Sequence, residues 1–173
     1  MTEQFVEQFI PPVNAVIDGG PHQMFLFLAG PIQGAADWQE EAYQHLSRLW
    51  KPLDGILTVS NPRRKDNNQF QYTQQVDWES LHLKLAAEQG VILFWLAKEQ
   101  DHYCDRAYAQ TTRFELGEWL GKKPGSVIIG IEDGYTGAKY VKHRVLHDWP
   151  EVKIYSSLAD TCEAAVQKAR LIF

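Results

Sequence analysis

Residues 24–31 read Met-Phe-Leu-Phe-Leu-Ala-Gly-Pro, a short apolar run that ends in a glycine and a proline. An uninterrupted run of this length predicts a strand buried on both faces, as strands of a parallel sheet are. Similar runs lie at residues 56–60, 91–96 and 127–131, and a shorter one lies at residues 152–155. Together these segments predict the strands of one sheet.

Helix signals separate the predicted strands. Asp37 has Glu40 three residues later, which is typical of a helix start, and Pro52 predicts the end of that helix. Ser157 and Asp160 predict the start of a last helix in the same way. Further helices are predicted at about residues 73–88, 112–121 and 138–147. Strands that alternate with helices predict an open parallel sheet with right-handed crossovers.

The pattern predicts a single doubly wound α/β domain of the flavodoxin-like type, with about five parallel strands, over residues 24–173. The apolar residues among residues 1–23 show no clear periodicity. This segment is therefore predicted to be an N-terminal arm, with a short strand near residues 13–17. Residues 66–72 are polar and predict a loop. A chain of 173 residues has room for one full core.

Composition narrows the class of partner and the compartment. The formal net charge of −5 argues against a general nucleic-acid binder, because neutralising phosphates requires a basic surface. Cys104 and Cys162 form neither a metal-binding pattern nor a disulfide framework, which favours a reducing cytoplasm. No apolar run approaches 18 residues and the N-terminus lacks a basic region, so we expect neither a membrane span nor a signal peptide.

The segment from Thr112 to Glu115 carries the main chemical candidate. Its T-x-x-E pattern predicts a capping box, with Thr112 at the N-cap and Glu115 at the third helical position. Free N–H groups and the helix dipole would favour Glu115 as an anion there. An ionised, oriented carboxylate can act as the nucleophile at the anomeric carbon of a sugar. The alternative is that Glu115 only closes the cap.

Three loops follow predicted strand ends and should converge. They are residues 30–34, residues 61–64 and the loop that leads to Glu115. In open parallel sheets, ligands bind outside the carboxyl ends of the strands at a topological switch point. The sequence therefore predicts one pocket at this edge.

Several motifs together resemble a known family. They read F-L-A-G-P at residues 27–31, N-P-R-R at 61–64, V-D-W-E at 76–79, V-I-L-F-W at 91–95 and R-F-E-L-G at 113–117. In this order, the chain resembles the nucleoside 2-deoxyribosyltransferase family over residues 24–131. Each motif is weak alone, and the order makes the set moderately specific.

The resemblance implies an activity. Glu115 matches the glutamate that attacks C1′ of a 2′-deoxyribonucleoside and forms a covalent deoxyribosyl-enzyme, from which a second nucleobase takes the sugar with retained configuration. The reaction needs no metal and no organic cofactor. The implied partners are a nucleoside or nucleotide, a free nucleobase and further copies of the chain, one of which closes the pocket in a homo-oligomer of two or more subunits.

The chain departs from the family at two positions that carry aspartates. The residues before the third strand read Glu-Gln-Gly at 88–90, and residues 109–112 read Ala-Gln-Thr-Thr. Asp77 or Glu79 could take over proton transfer or sugar binding. Since they lie two residues apart on a predicted helix, at most one should point into the pocket, and the resemblance favours Glu79 for ligand contact.

Other candidates concern substrate binding. Arg63 or Arg64 could hold a 5′-phosphate or fix a carboxylate of the site, and the alternative is a solvated basic loop that continues to Lys65. Gly30 could allow close approach of a ligand while Pro31 stiffens the turn, and the alternative is an ordinary strand-to-helix turn. Three more residues are binding candidates: Asn61 and Trp78, which lie in the matching motifs, and Thr112, which lies beside the Glu115 segment. Candidates for base stacking are Trp38, Phe70, Tyr72, Trp78, Trp95 and Trp119.

Three functions stay open. The first is deoxyribosyl transfer, and the second is hydrolysis of a nucleoside or 5′-nucleotide at its N-glycosidic bond. The third is a binding module that lacks the reaction, which the missing aspartates would explain. His143 and His147 are one turn apart, but no neighbouring ligand supports a metal site.

Overall fold

Six parallel strands form one sheet in the computed structural model, which describes residues 5–15, 17, 22–64 and 71–172. The strands are β1 Val6–Phe9, β2 Gln23–Ala29, β3 Ile56–Ser60, β4 Gly90–Leu96, β5 Val127–Ile131 and β6 Ile154–Tyr155. The helices are α1 Trp38–Leu49, α2 Tyr72–Gln89, α3 Gln110–Lys122, α4 Ala138–Asp148 and α5 Leu158–Arg170. The strand order is β1-β3-β2-β4-β5-β6, and the predicted doubly wound α/β fold is confirmed.

The strand count differs from the prediction because of β1. This strand pairs in parallel with β3, from Val6 opposite Leu57 to Phe9 opposite Ser60. Its sequence, Val-Glu-Gln-Phe, mixes polar and apolar residues, as an edge strand with one partner can. The strand predicted near residues 13–17 is wrong for residues 13–15 and 17, which are irregular, and Val16 lies outside the described residues. Residues 66–70 of the predicted loop also lie outside them, and Tyr72 already belongs to α2.

Helices cover both faces of the sheet. Alternate side chains of β2 point to opposite faces, so Phe25 and Phe27 pack in one core while Leu26 and Leu28 pack in the other. The first core is closed by α2, α3 and α4, and the second by α1 and α5. Both faces of β2 and β4 are therefore buried, which explains their uninterrupted apolar sequences.

The strand order reverses at β2. The chain passes from β2 to β3 on one side and then returns across β2 to β4 on the other. The connections after β2 and β4 therefore leave the sheet toward opposite faces and open a crevice between them. This crevice is where a ligand is expected.

The segment after β1 is held on α2 by a buried histidine and a tryptophan. The indole N–H of Trp78 donates to the carbonyl oxygen of Val13 at 2.9 Å. The backbone N–H of Ala15 donates to Nε2 of His82 at 3.0 Å, and Nδ1 of His82 lies 2.7 Å from the carbonyl oxygen of Trp78. Because Nε2 accepts, these partners assign the neutral tautomer with its proton on Nδ1.

The His82 arrangement predicts a pH-dependent stability. Burial lowers the pKa of His82, against the opposing effect of the Trp78 carbonyl. The stabilisation is complete above the ordinary histidine pKa of about 6.5 and declines as the pH falls below it, because the unfolded chain then binds a proton that the folded chain excludes. Between pH 7.5 and 5.5 this contribution should fall by about 1 kcal/mol, which denaturant titrations would measure as a loss of stability of the wild-type protein relative to a variant without this imidazole.

The matched variants are His82→Gln, which cannot titrate, and His143→Gln, which removes an exposed imidazole. The first should remove this contribution from the pH dependence of stability and the second should leave it in place. Equal slopes in the wild-type protein and His82→Gln would contradict the assignment.

Candidate active site

A cavity of about 610 Å³ lies at the carboxyl edge of the sheet. It is lined by residues 30–35 after β2, residues 62–64 after β3, and residues from the connection between β4 and α3. The predicted convergence of the three loops is therefore confirmed. The remaining wall comes from Phe27 of β2, from α2, and from residues 110–112 and Glu115 of α3.

Seven of the predicted site residues line this cavity, and three do not. Those in its wall are Gly30, Pro31, Arg63, Arg64, Glu79, Thr112 and Glu115. Asn61 is buried beside the wall, where its side-chain oxygen accepts from the backbone N–H of Arg63 at 2.9 Å. Trp78 is buried with its ring stacked on His82 at 3.9 Å. Asp77 is exposed on α2, away from the cavity that Glu79 faces.

The predicted capping box at Thr112 and Glu115 is wrong. Helix α3 begins at Gln110, its N-cap is Ala109, and no side chain caps it. Ala109 has left-handed backbone angles, φ 54° and ψ 30°, and its side chain is buried in the core. Just before it, the hydroxyl of Tyr108 donates to the carbonyl oxygen of Ala97 at 2.7 Å. These tertiary contacts start the helix early, so Glu115 lies beyond its first turn.

The position of Glu115 changes its charge state. Burial, followed by the neighbouring Glu79 and Glu118, raises the pKa of Glu115 to about 8. The free N–H groups of the first turn are not available to it. The expectation that the helix start keeps Glu115 ionised is therefore wrong, because a carboxyl group with this pKa is largely protonated at neutral pH.

Glu79 is the second carboxyl group in the cavity. Burial raises the pKa of Glu79, whereas a hydrogen bond from Gln75 and the charge of Arg64 oppose this rise. The Gln75 amide donates to Glu79 Oε1 at 2.7 Å. Two neighbouring carboxyl groups with raised pKa values titrate as a pair, because both cannot ionise cheaply in one partly buried space. Burial in one cavity therefore favours the protonated form of both groups, and Glu115 is largely protonated at neutral pH.

Arg63 holds the loop after β2. Its guanidinium donates to Gln39 Oε1 at 2.9 Å and to the carbonyl oxygens of Ala36 at 2.8 Å and Ile32 at 3.2 Å, and it lies 3.2 Å from the carboxylate of Asp37. The carboxylate that Arg63 fixes therefore belongs to the N-cap of α1. These contacts favour loop positioning over phosphate binding for this residue.

Two other arginines face the cavity. Arg64 is exposed in its wall, while Lys65, the third member of the basic cluster, lies outside the described residues. Arg106, in the connection before α3, also lines the cavity and donates to the side-chain oxygen of Gln33. Residues that sequence reasoning did not single out are Gln75, Asp101, Tyr103 and Arg106. They belong to no motif, and only the topology brings them together.

Close packing explains Gly30. A Cβ atom there would lie 2.3 Å from the carbonyl oxygen of Trp95 and 2.6 Å from the ring of Trp38. The Trp38 indole N–H donates to the carbonyl oxygen of Pro31 at 2.9 Å. The close approach at Gly30 is therefore made by the protein itself, and it fixes the turn that forms the cavity wall.

Most of the aromatic candidates for base stacking belong to the core. Buried members are Trp38, Trp78, Trp95 and Trp119. Phe70 lies outside the described residues. Tyr72 is exposed and lines the cavity.

The fold and the cavity define a doubly wound α/β protein with paired carboxyl groups at its switch point. The family model for nucleoside 2-deoxyribosyltransferase-like proteins matches residues 23–135, and the chain belongs to this family. The matched span contains every residue that lines the cavity. A search of curated proteins found no match. Among the described residues, no helix has the length and apolarity needed to cross a membrane, and no three potential ligands cluster as a metal site would require.

Proposed function

We propose that the protein cleaves the N-glycosidic bond of a 2′-deoxyribonucleoside and transfers the deoxyribosyl group to a second nucleobase. The observation that carries the proposal is the pair of half-buried carboxyl groups, Glu115 and Glu79, in one cavity within the span that matches the family. Retaining sugar transfer needs one carboxylate as nucleophile and one proton donor.

The first step requires one proton on the pair. In the productive form the proton lies on Glu79 and Glu115 is ionised. An oxygen of Glu115 attacks C1′ and forms an ester bond while the bond from C1′ to the base nitrogen breaks. The electron pair of that bond goes to the base, which takes the proton from Glu79.

The second step reverses the roles. A nitrogen of the incoming base attacks C1′, the ester bond breaks, and Glu115 leaves as a carboxylate. Glu79 accepts the proton of the incoming base. Two inversions at C1′ retain the configuration.

The cavity also supplies the electrostatics that the reaction requires. Positive charge develops on the sugar in the oxocarbenium-like transition state, next to the Glu115 carboxylate. Burial raises the free energy of this anion, and the same low-dielectric surroundings strengthen its interaction with the developing positive charge.

A second candidate is hydrolysis of a nucleoside 5′-monophosphate, with water as the acceptor. The exposed Arg64 and Arg106 in the cavity wall favour it, because guanidinium groups bind phosphate well. This reaction would be supported if free base were released without an acceptor base, and if the release were faster from the 5′-monophosphate than from the nucleoside. A pure binding module would instead bind nucleosides in calorimetry without turnover. In each case we expect a homo-oligomer.

The decisive experiment traps the intermediate. A 2′-fluorinated deoxynucleoside should leave a covalent adduct on Glu115. The electron-withdrawing fluorine destabilises the oxocarbenium-like transition state of the second step, so the ester should persist long enough to be detected. Peptide mass spectrometry would locate the adduct, and a second free base should release it. An unmodified Glu115 under conditions in which the unsubstituted nucleoside is consumed would refute the covalent mechanism.

A further inference from the structure

Three large apolar side chains are exposed in the wall of the cavity. Tyr72 is 79% exposed, Val76 is 40% exposed and Tyr103 is 44% exposed. None of them belongs to either core cluster of the described residues. Their apolar surface is therefore available to something that enters the cavity.

The wall formed by α2 changes character along the helix. Tyr72, Val76 and Glu79 are spaced by four and three residues, so they share one face. From Tyr72 to Glu79 the helix rises by about 10 Å. The Tyr72 side chain also leans toward the helix N-terminus, farther from Glu79. One end of this wall is thus acidic and the other is aromatic.

This gradient can be compared with the shape of a nucleoside. If C1′ lies at Glu115 and Glu79, a base that extends along α2 first meets Val76. A pyrimidine has one ring and ends there, whereas the second ring of a purine extends farther toward Tyr72. Tyr103 projects into the same cavity from the connection between β4 and α3.

We infer that Tyr72, Val76 and Tyr103 form the nucleobase subsite and that this subsite selects purines. The inference rests on the proposed function for the placement of C1′. Aromatic stacking supplies the selectivity, since a tyrosine ring stacks on the π-face of a base without needing specific hydrogen bonds. Removing one stacking ring lowers binding of a base by about tenfold.

The test compares Tyr72→Ala with two controls. Tyr72→Phe keeps the ring, and Leu81→Ala removes an exposed apolar side chain of α2 that does not line the cavity. Cleavage of deoxyadenosine and deoxyguanosine should be compared with that of thymidine and deoxycytidine. Tyr72→Ala should lower kcat/KM for the purine nucleosides about tenfold or more, with a clearly smaller loss for the pyrimidines. Tyr72→Phe should keep the preference for purines because it keeps the stacking ring, and Leu81→Ala should behave as the wild-type protein does.

A binding measurement separates this inference from the proposed function. Calorimetry with free adenine and free cytosine needs no cleavage. Weaker adenine binding by Tyr72→Ala supports the subsite, and if no nucleoside is cleaved, the proposed reaction alone is refuted. Unchanged adenine binding, no adenine binding by the wild-type protein, or equal losses for both base classes would overturn the inference.

Discussion

Replacing Glu115 with glutamine should reduce cleavage of the N-glycosidic bond by about a thousandfold or more. Glutamine keeps the size of the side chain but cannot form the ester with C1′. Losses of this size are typical when the nucleophile of a covalent mechanism is removed. The measurement is the release of free base from a deoxyribonucleoside, with and without a second base.

Glu118→Gln is the matched control. Glu118 lies one turn farther along α3, where its carboxylate pairs with Lys122 at 2.5 Å, and it does not line the cavity. This variant should keep nearly all activity. Comparable rates for Glu115→Gln and Glu118→Gln would remove Glu115 from the mechanism.

The Glu115→Gln variant should also be more stable than the wild-type protein at pH 8. The folded-state pKa of about 8 lies above the ordinary value of 4.5. Between these two values the unfolded chain is ionised at this position while the folded chain keeps its proton, so the wild-type protein loses stability as the pH rises. A tenfold difference in proton affinity corresponds to about 1.4 kcal/mol. The melting temperature of the variant should exceed that of the wild-type protein by more at pH 8 than at pH 5.

Replacing Glu79 with glutamine should lower kcat/KM about a hundredfold and change the shape of its pH profile. The loss is the usual contribution of a general acid. In the wild-type protein the active form holds one proton on the pair, so kcat/KM should fall above about pH 8 as that proton is lost. It should also fall at low pH, where Glu79 and Glu115 are both protonated. In Glu79→Gln the activity that remains should instead rise with pH, since only ionised Glu115 is then required.

Asp77→Asn provides the control on the same helix. Asp77 is exposed and lies outside the cavity wall, so its replacement should leave both the rate and the pH profile unchanged. A nucleoside with a leaving group that needs no proton should lose much less activity in Glu79→Gln than a natural nucleoside does. A large loss in Asp77→Asn with none in Glu79→Gln would reverse the two roles.

Local sequence patterns predicted the parts of the fold that local chemistry determines. The central strands were predictable because strands buried on both faces require uninterrupted apolar sequences. The starts of α1 and α5 were predictable because the side chains of Asp37 and Ser157 accept from the backbone N–H three residues later. The edge strand β1 was not predictable. It pairs with a single neighbour, and its sequence can therefore include glutamate and glutamine. The start of α3 was not predictable either, because an alanine such as Ala109 gives no sequence signal for a left-handed conformation.

Some features of the candidate site could likewise be predicted from the sequence, and others could not. Topology predicted that three loops would meet, and helical spacing predicted that only one of Asp77 and Glu79 would face the cavity. The charge state of Glu115 could not be predicted, because it depends on burial and on Glu79, which is 36 positions away in sequence. The contacts of Arg63 could not be predicted for a similar reason, since most of its acceptors are main-chain oxygens of a different loop.

The contacts of α2 with the segment after β1 set a practical limit on shortened versions of the protein. The family match begins at residue 23, so a fragment cut at that point would still contain the whole cavity. It would lack β1, however, and β3 would become an open sheet edge that invites aggregation. It would also lack Val13 and Ala15, the hydrogen-bond partners of Trp78 and His82 on the helix that carries Glu79. A fragment intended for crystallisation or directed evolution should therefore begin no later than Phe5.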